Sequence, residues 1–229
     1  MIDFSSLDRD DIRLVQTGLK SLGHFAGDLG GHAGPITQAA YHAYRQSRQQ
    51  VAGPAVPGEA GPVLRAMIAA ALSKDGVREI PRNSNRGPDV QKFQAATWLD
   101  GTGWAWCAAF VCWALREGLD RTPPGLTPAR QEWRPRTAGA WDMENWARKS
   151  PGVQVLKPAK GLAQAGDLFV FRSSHIGIVI ADQAPGSETI ATIEGNTDRA
   201  GSREGGGVYR KFRKPAECRS LLRILRVPV

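Results

Sequence analysis

Three cysteines, four histidines and no apolar run of membrane-spanning length mark this 229-residue chain by what it has little of. The cysteines cannot all pair, and none stands in a Cys-x-x-Cys or Cys/His spacing, so neither a disulfide framework nor a zinc site is expected. Cys107 and Cys112 are five residues apart, roughly 140° round a helix of about 3.6 residues per turn, and so face apart. Without ~20 consecutive apolar residues no membrane-crossing helix is expected. The segment Met1-Ile2-Asp3-Phe4-Ser5 has no basic stretch leading into an apolar one, so no secretory signal is expected. Work outside a cytoplasm would then need release or export by another route. Three histidines, His24, His32 and His42, fall in the first 46 residues without cysteine or carboxylate spacing and read as surface or turn residues. No metal and no cofactor is implied.

Positive charge, by contrast, is plentiful. The formal net charge is +8, and it is unevenly placed. Residues 1–46 are near neutral, with four basic and five acidic side chains, whereas residues 199–226 carry nine basic and two acidic ones. Such a region suits a polyanionic partner such as an anionic envelope surface. Specific nucleic-acid binding is not expected, because exposed aromatics and a recognised motif are wanting.

The chain reads as three stretches. In residues 1–46, Ile12, Val15 and Leu19 recur at helical spacing after the acidic start Asp8-Arg9-Asp10-Asp11. A glycine-rich turn follows, and Thr37 to Arg45 form a second helix. Residues 47–62, rich in Pro, Gly, Ala and Gln without periodicity, read as a linker. From residue 63 to 229 the composition is that of a core-forming domain. Helices are expected around Val63–Leu72, from Pro88, over Trp106–Leu119 and around Ala140–Lys149. Strands are expected at 167–171, 176–180, 189–193, 207–212 and 221–227. Helices first and an antiparallel sheet afterwards give an α+β domain. The proline- and arginine-rich stretch 120–137 reads as a long irregular loop, either functional or a solvated insertion.

The chemistry gathers round Gly103-Trp104-Ala105-Trp106-Cys107-Ala108-Ala109-Phe110. A cysteine at a helix start sits among unpaired backbone N–H groups, which favour a thiolate and can later hold an oxyanion. Its base must be a histidine, and residues 63–229 hold one, His175, just before the strand 176–180. Alternation places His175 on the face of Gly177 and Val179, and Gly177 leaves space there for the helix start. If strands 176–180 and 189–193 pair as a hairpin, Glu194 returns beside His175 as the orienting group. Cys112 and Cys218 read as small buried apolar residues.

Two resemblances follow from these motifs. Gly23-His24-Phe25, Gly27, Gly30-Gly31, Gly34-Pro35-Ile36-Thr37, Ala40 and Tyr44-Arg45 resemble a peptidoglycan-binding-like three-helix module, with Gly30 and Arg45 departing from its Asp and Gln. That resemblance implies Phe25, Gly31, Thr37 and Tyr44 as wall-binding candidates. Trp-x-Trp-Cys-Ala-Ala-Phe-Val-x-Trp, Gly-Asp-Leu-Phe-Val-Phe, His-Ile-Gly-Ile-Val and Glu-Gly-Asn, in this order, resemble the CHAP amidase/endopeptidase domain of the papain-like NlpC/P60 group. The resemblance implies Cys107 as nucleophile, His175 as base, Glu194 as the group that orients it and Asn196 as an accompanying residue. It implies a substrate groove lined by the loop Glu79–Pro88, with Asn85 and Trp106 as candidates. The activity implied is hydrolysis of peptidoglycan amide bonds, as amidase or endopeptidase, in a phage endolysin released by a holin or in a secreted effector with an immunity protein. A non-catalytic wall-binding or phage structural protein, and a protease or transamidase acting on protein, are the alternatives.

Overall fold

A computed structural model describes residues 4, 7–21, 23–51, 60–200 and 205–229; the side chains of residues 11, 14, 21 and 44–51 lie outside that description. The chain divides into two compact units, Met1–Val56 and Pro57–Val229.

The first unit holds helices α1 (Arg9–Ser21) and α2 (Pro35–Val51). Its small core is Leu19, Phe25 and Ala40. Among the described residues there are two α-helices where three were expected, because the glycine-rich turn is held as irregular backbone by a side chain. Gln16, buried, accepts from the Gly31 N–H (2.9 Å) and donates to the His32 carbonyl (3.0 Å) and to Thr37 Oγ1 (2.9 Å). Gly31 has φ 69°, and a Cβ there would collide with the Arg9 carbonyl. Three of the wall-binding candidates are thereby corrected: Phe25 and Thr37 are buried and Gly31 is needed by the turn, so they build the unit's interior rather than a binding surface. The Tyr44 side chain lies outside the described residues. The expected linker also begins later than residue 47. Ser47-Arg48-Gln49-Gln50-Val51 contains neither Pro nor Gly and continues α2; residues 52–59 lie outside the described residues.

The second unit is α+β. Its helices are α3 (Gly61–Leu72), α4 (Pro88–Gln94), α5 (Cys107–Asp120), α6 (Pro128–Trp133) and α7 (Asp142–Lys149). Its strands are β1 (Val153–Leu156), β2 (Leu168–Phe171), β3 (Ile176–Val179), β4 (Ile190–Thr197), β5 (Gly207–Arg213) and β6 (Cys218–Ile224). They form one antiparallel sheet in the order β1-β6-β2-β3-β4-β5. The central helix is α5, apolar on almost every side and buried from Cys107 through Leu115. A helix apolar all round must be covered all round. On one side α3 approaches so closely that a Cβ at Gly118 would lie 2.6 Å from the Val63 carbonyl. On the other side lie Ile176, Ile178 and Ile193 of the sheet.

Three expectations need revision here. Strand β1 and helix α6 were not anticipated, and β4 runs on to Thr197, so Glu194 and Asn196 lie within the strand rather than past it. The stretch 120–137 is neither a solvated insertion nor a free loop. Arg130, buried, donates to the carbonyls of Leu119, Thr122, Pro123, Gly125 and Pro228 and gathers the whole segment round one guanidinium. Five donors on one rigid group satisfy carbonyls that irregular backbone would otherwise leave unpaired.

Candidate active site

Cys107 is the first residue of α5, and Trp106 before it offers no side-chain cap. The first intrahelical bond at this end runs from the Phe110 N–H to the Trp106 carbonyl (2.9 Å). The N–H groups of Cys107 and its neighbours in the first turn thus have no partner within the helix. Cys107 itself is buried, 6% exposed.

His175 sits at the entry to β3, its carbonyl tied to the Phe171 N–H across the turn (2.8 Å). The ring packs on Phe171, centroids 5.3 Å apart. Its Nε2 lies 3.1 Å from Glu194 Oε2, and its buried Nδ1 has no aligned hydrogen-bond partner. That nitrogen is left for Cys107, whose side chain acts on the ring. Burial by itself would lower the His175 pKa; hydrogen bonding and charge from Cys107 and Glu194 outweigh it and raise it to about 9. A loose thiol–imidazole alignment in the absence of substrate is common in such centres.

Glu194 reaches His175 by a route that the alternation argument did not foresee. Ile178 pairs with Ile193 in the β3–β4 ladder, so continuing that register puts Glu194 opposite Gly177. A Cβ at Gly177 would lie 2.6 Å from Glu194 Cγ. The space beside Gly177 is therefore filled by the glutamate's own side chain, not by the helix start. The helix meets the sheet at Gly195 instead, where a Cβ would lie 2.7 Å from Phe110 and 2.8 Å from Trp106.

Glu194 is completely buried, and every bond it makes suits a carboxylate. Arg213 donates through Nε to Oε1 (2.9 Å) and through Nη2 to Oε2 (2.6 Å), and Thr192 Oγ1 donates to Oε1 (2.6 Å). Burial would raise the Glu194 pKa; Arg213 and His175 overcome that and hold it down to about 2. The sequence argument did not find Arg213 or Thr192. Thr192 lies two residues before Glu194, on the same strand face, and that alternation was the available signal.

The structure therefore brings Cys107, His175 and Glu194 together. Asn196 is buried beside them with φ 56°, at an irregularity of the β4–β5 ladder between Glu194 and Thr197, and makes none of the bonds just described. Trp106 is corrected outright: it is fully buried, stacks on Phe93 (5.5 Å) and donates its indole N–H to Glu79 Oε1 (2.9 Å), so it lines no groove. Asn85, with φ 53°, has its carbonyl bound by Gln94 Nε2 (3.1 Å), which also reaches the Trp104 carbonyl (3.0 Å). Gln94 thereby ties the 81–87 loop to the loop that precedes the nucleophile. Cys112 and Cys218 are buried, and burial pushes each thiol up to about 12. They are packing residues.

A helix-start cysteine, a strand-borne histidine and a carboxylate behind it stand here on helices packed against an antiparallel sheet, an α+β fold consistent with a papain-like domain. The model of the CHAP domain family matches residues 99–196, a span that includes Cys107, His175, Glu194 and Asn196. The CHAP domain points to peptidoglycan hydrolysis as the general activity. No curated protein and no solved structure matches the chain.

Proposed function

We propose that the protein cleaves an amide bond of peptidoglycan through a thioester on Cys107. The observation that carries the reading is the Cys107–His175–Glu194 array at the start of α5, inside the segment that matches the CHAP domain. In the first step the Cys107 thiolate attacks the carbonyl carbon, and negative charge moves to the carbonyl oxygen. The unpaired N–H groups at the start of α5 are placed to receive that charge. Imidazolium at His175, favoured by its raised pKa, gives its proton to the leaving amine. Neutral His175 then takes a proton from water, and the resulting hydroxide opens the thioester to acid and free thiol. Glu194 stays anionic throughout, fixes the ring through Nε2 and stabilises its cation.

The bond cleaved is either the muramoyl-to-L-alanine amide or one within the stem or cross-link peptide; the chemistry is the same. Peptidoglycan is then the partner and a cell wall or periplasm the place of action. Purified protein incubated with isolated sacculi tests the reading. Turbidity is expected to fall with wild type and to stay level with Cys107→Ala. Mass spectrometry of the released fragments names the bond: new L-alanine N-termini mean an amidase, other new termini an endopeptidase. Wild type and Cys107→Ala giving equal turbidity and no new termini would overturn it.

A further inference from the structure

A cleft of about 500 Å³ lies beside residues that hold the catalytic centre; it is lined by Arg78, Glu79, Arg82, Asn83, Asp198 and Tyr209, among others, and not by Cys107, His175 or Glu194. That size suits one or two amino-acid residues of a ligand. Its walls are fixed by backbone bonds. The segment 77–79 runs beside the start of β5, with an Arg78–Gly207 bridge, Glu79 N–H to the Gly206 carbonyl (2.9 Å) and Val208 N–H to the Val77 carbonyl (2.9 Å). Two of its lining residues connect it to the centre. Glu79 holds the indole of Trp106, the residue before the nucleophile, and Tyr209 is the direct cross-strand partner of Glu194.

The charges of this cleft differ in depth. Its two acids lie in the wall: Glu79 is buried and receives the Trp106 indole N–H, and half-buried Asp198 lies within reach of the cations Lys211 and Arg213. Arg78 and Arg82 have neither an ion pair nor a side-chain hydrogen bond among the described residues, and both are exposed. Two uncompensated guanidinium groups over a walled cleft favour an anion with planar, bidentate geometry.

We infer that this cleft is the subsite for a carboxylate-bearing residue of the wall peptide, with Arg78 and Arg82 as its specificity-determining side chains. The inference rests on the hydrolase reading for the identity of the peptide. A carboxylate on the residue flanking the scissile bond would enter beside Tyr209 and meet the guanidinium groups. The same peptide with that carboxylate amidated offers them nothing to neutralise.

The test uses two synthetic disaccharide-pentapeptides, alike except that the stem carboxylates are free in one and amidated in the other. Wild type is expected to show kcat/KM about tenfold higher on the free acid, as for two solvent-exposed ion pairs. The double variant Arg78→Gln/Arg82→Gln should lose that preference through KM, with kcat, thermal melting and the rate of Cys107 alkylation by iodoacetamide unchanged. Equal kcat/KM on both compounds with wild type, or a preference that survives in the double variant, overturns the inference. If wild type cleaves neither compound, the bond it cuts lies outside a monomeric stem, and the hydrolase reading is judged on sacculi alone. Calorimetry of the same two compounds with Cys107→Ala then decides the subsite: preferential binding of the free acid that disappears in Arg78→Gln/Arg82→Gln upholds it, and equal or absent binding overturns it.

Discussion

Replacing Arg213 by Met removes the charge behind the catalytic carboxylate while keeping an apolar stem in place; the native guanidinium also lies 4.8 Å from the Phe171 ring centre. Glu194, completely buried, would lose two of its four hydrogen bonds, those of 2.9 and 2.6 Å, and keep Thr192 and His175. Taking one partner from a buried ion pair costs about 3–5 kcal/mol, because the other charge is left without compensation. Urea denaturation at pH 7 should show a loss of that size. Arg213→Lys keeps the charge with one donor position and should lose about half as much. The double variant Arg213→Met/Glu194→Gln should be no less stable than Arg213→Met alone, since the stranded anion is gone.

The pH dependence fixes the sign of this effect. The folded-state Glu194 pKa is depressed from 4.5 to about 2, so the stability it gives is fully present above 4.5 and is lost as pH falls through about 2. Without Arg213 the folded-state pKa moves up. The gap between wild type and Arg213→Met should therefore be widest above about pH 5 and close as pH falls toward 2. A loss below about 1 kcal/mol, or a gap independent of pH, would refute the reasoning: Glu194 would then be solvated or already neutral.

Other perturbations isolate other parts of the site. Native protein treated with iodoacetamide at neutral pH should take up one label, on Cys107, and three in denaturant; peptide mapping that finds Cys112 or Cys218 labelled as fast in the native state would remove the distinction drawn from their burial. Gly177→Ala should lower kcat tenfold or more, because its methyl displaces the Glu194 side chain, and should also lower Tm as that buried carboxylate is drawn off its partners. Gly195→Ala should cost about 1–3 kcal/mol of stability by wedging Phe110 and Trp106 off the sheet; the two variants lowering kcat alike would show that orientation and packing are not separable here. The His175 pKa is raised from 6.5 to about 9, so the stability from its cation is full below 6.5 and lost as pH rises through 9. Proton NMR titration of the imidazole should find that high value in wild type and a lower one in Glu194→Gln.

What was legible in the sequence was whatever is encoded locally. A cysteine where a Gly- and Trp-marked loop turns into an apolar run, a histidine just ahead of a β-branched strand and a carboxylate at the end of the next strand are each properties of a few neighbouring residues. Antiparallel pairing then brings the last two together. The misreadings share the opposite character. Trp106 was placed in a groove because it neighbours the nucleophile, yet its partner Glu79 is 27 residues earlier, and only the folded chain shows that the indole points inward. Strand β1 was invisible because its support is β6, at the far end of the chain, where Val153 pairs with Ile224.

The basic region shows the same limit most clearly. Residues 199–226 look like a single patch awaiting a polyanion, but the sheet distributes their charges inward. Arg213 binds Glu194, Arg223 binds Asp167 with Nε at 3.0 Å and Nη2 at 2.8 Å, Arg219 binds Glu144 at 2.9 Å and Arg210 binds Asp75 at 2.6 Å. Along β5 the alternation that buries one face puts Tyr209, Lys211 and Arg213 toward the catalytic side and exposes Arg210 and Phe212. Arg213 and Arg223 thus serve as internal counter-ions and Arg210 and Arg219 are paired nearer the surface, so net charge counted along the chain overstates what remains for a partner. The uncompensated pair, Arg78 and Arg82, stands more than a hundred residues earlier in a stretch whose composition gives no hint of it. Net charge could not have located a binding subsite here; the balance of partners around each guanidinium could, and that balance exists only once the strands are paired.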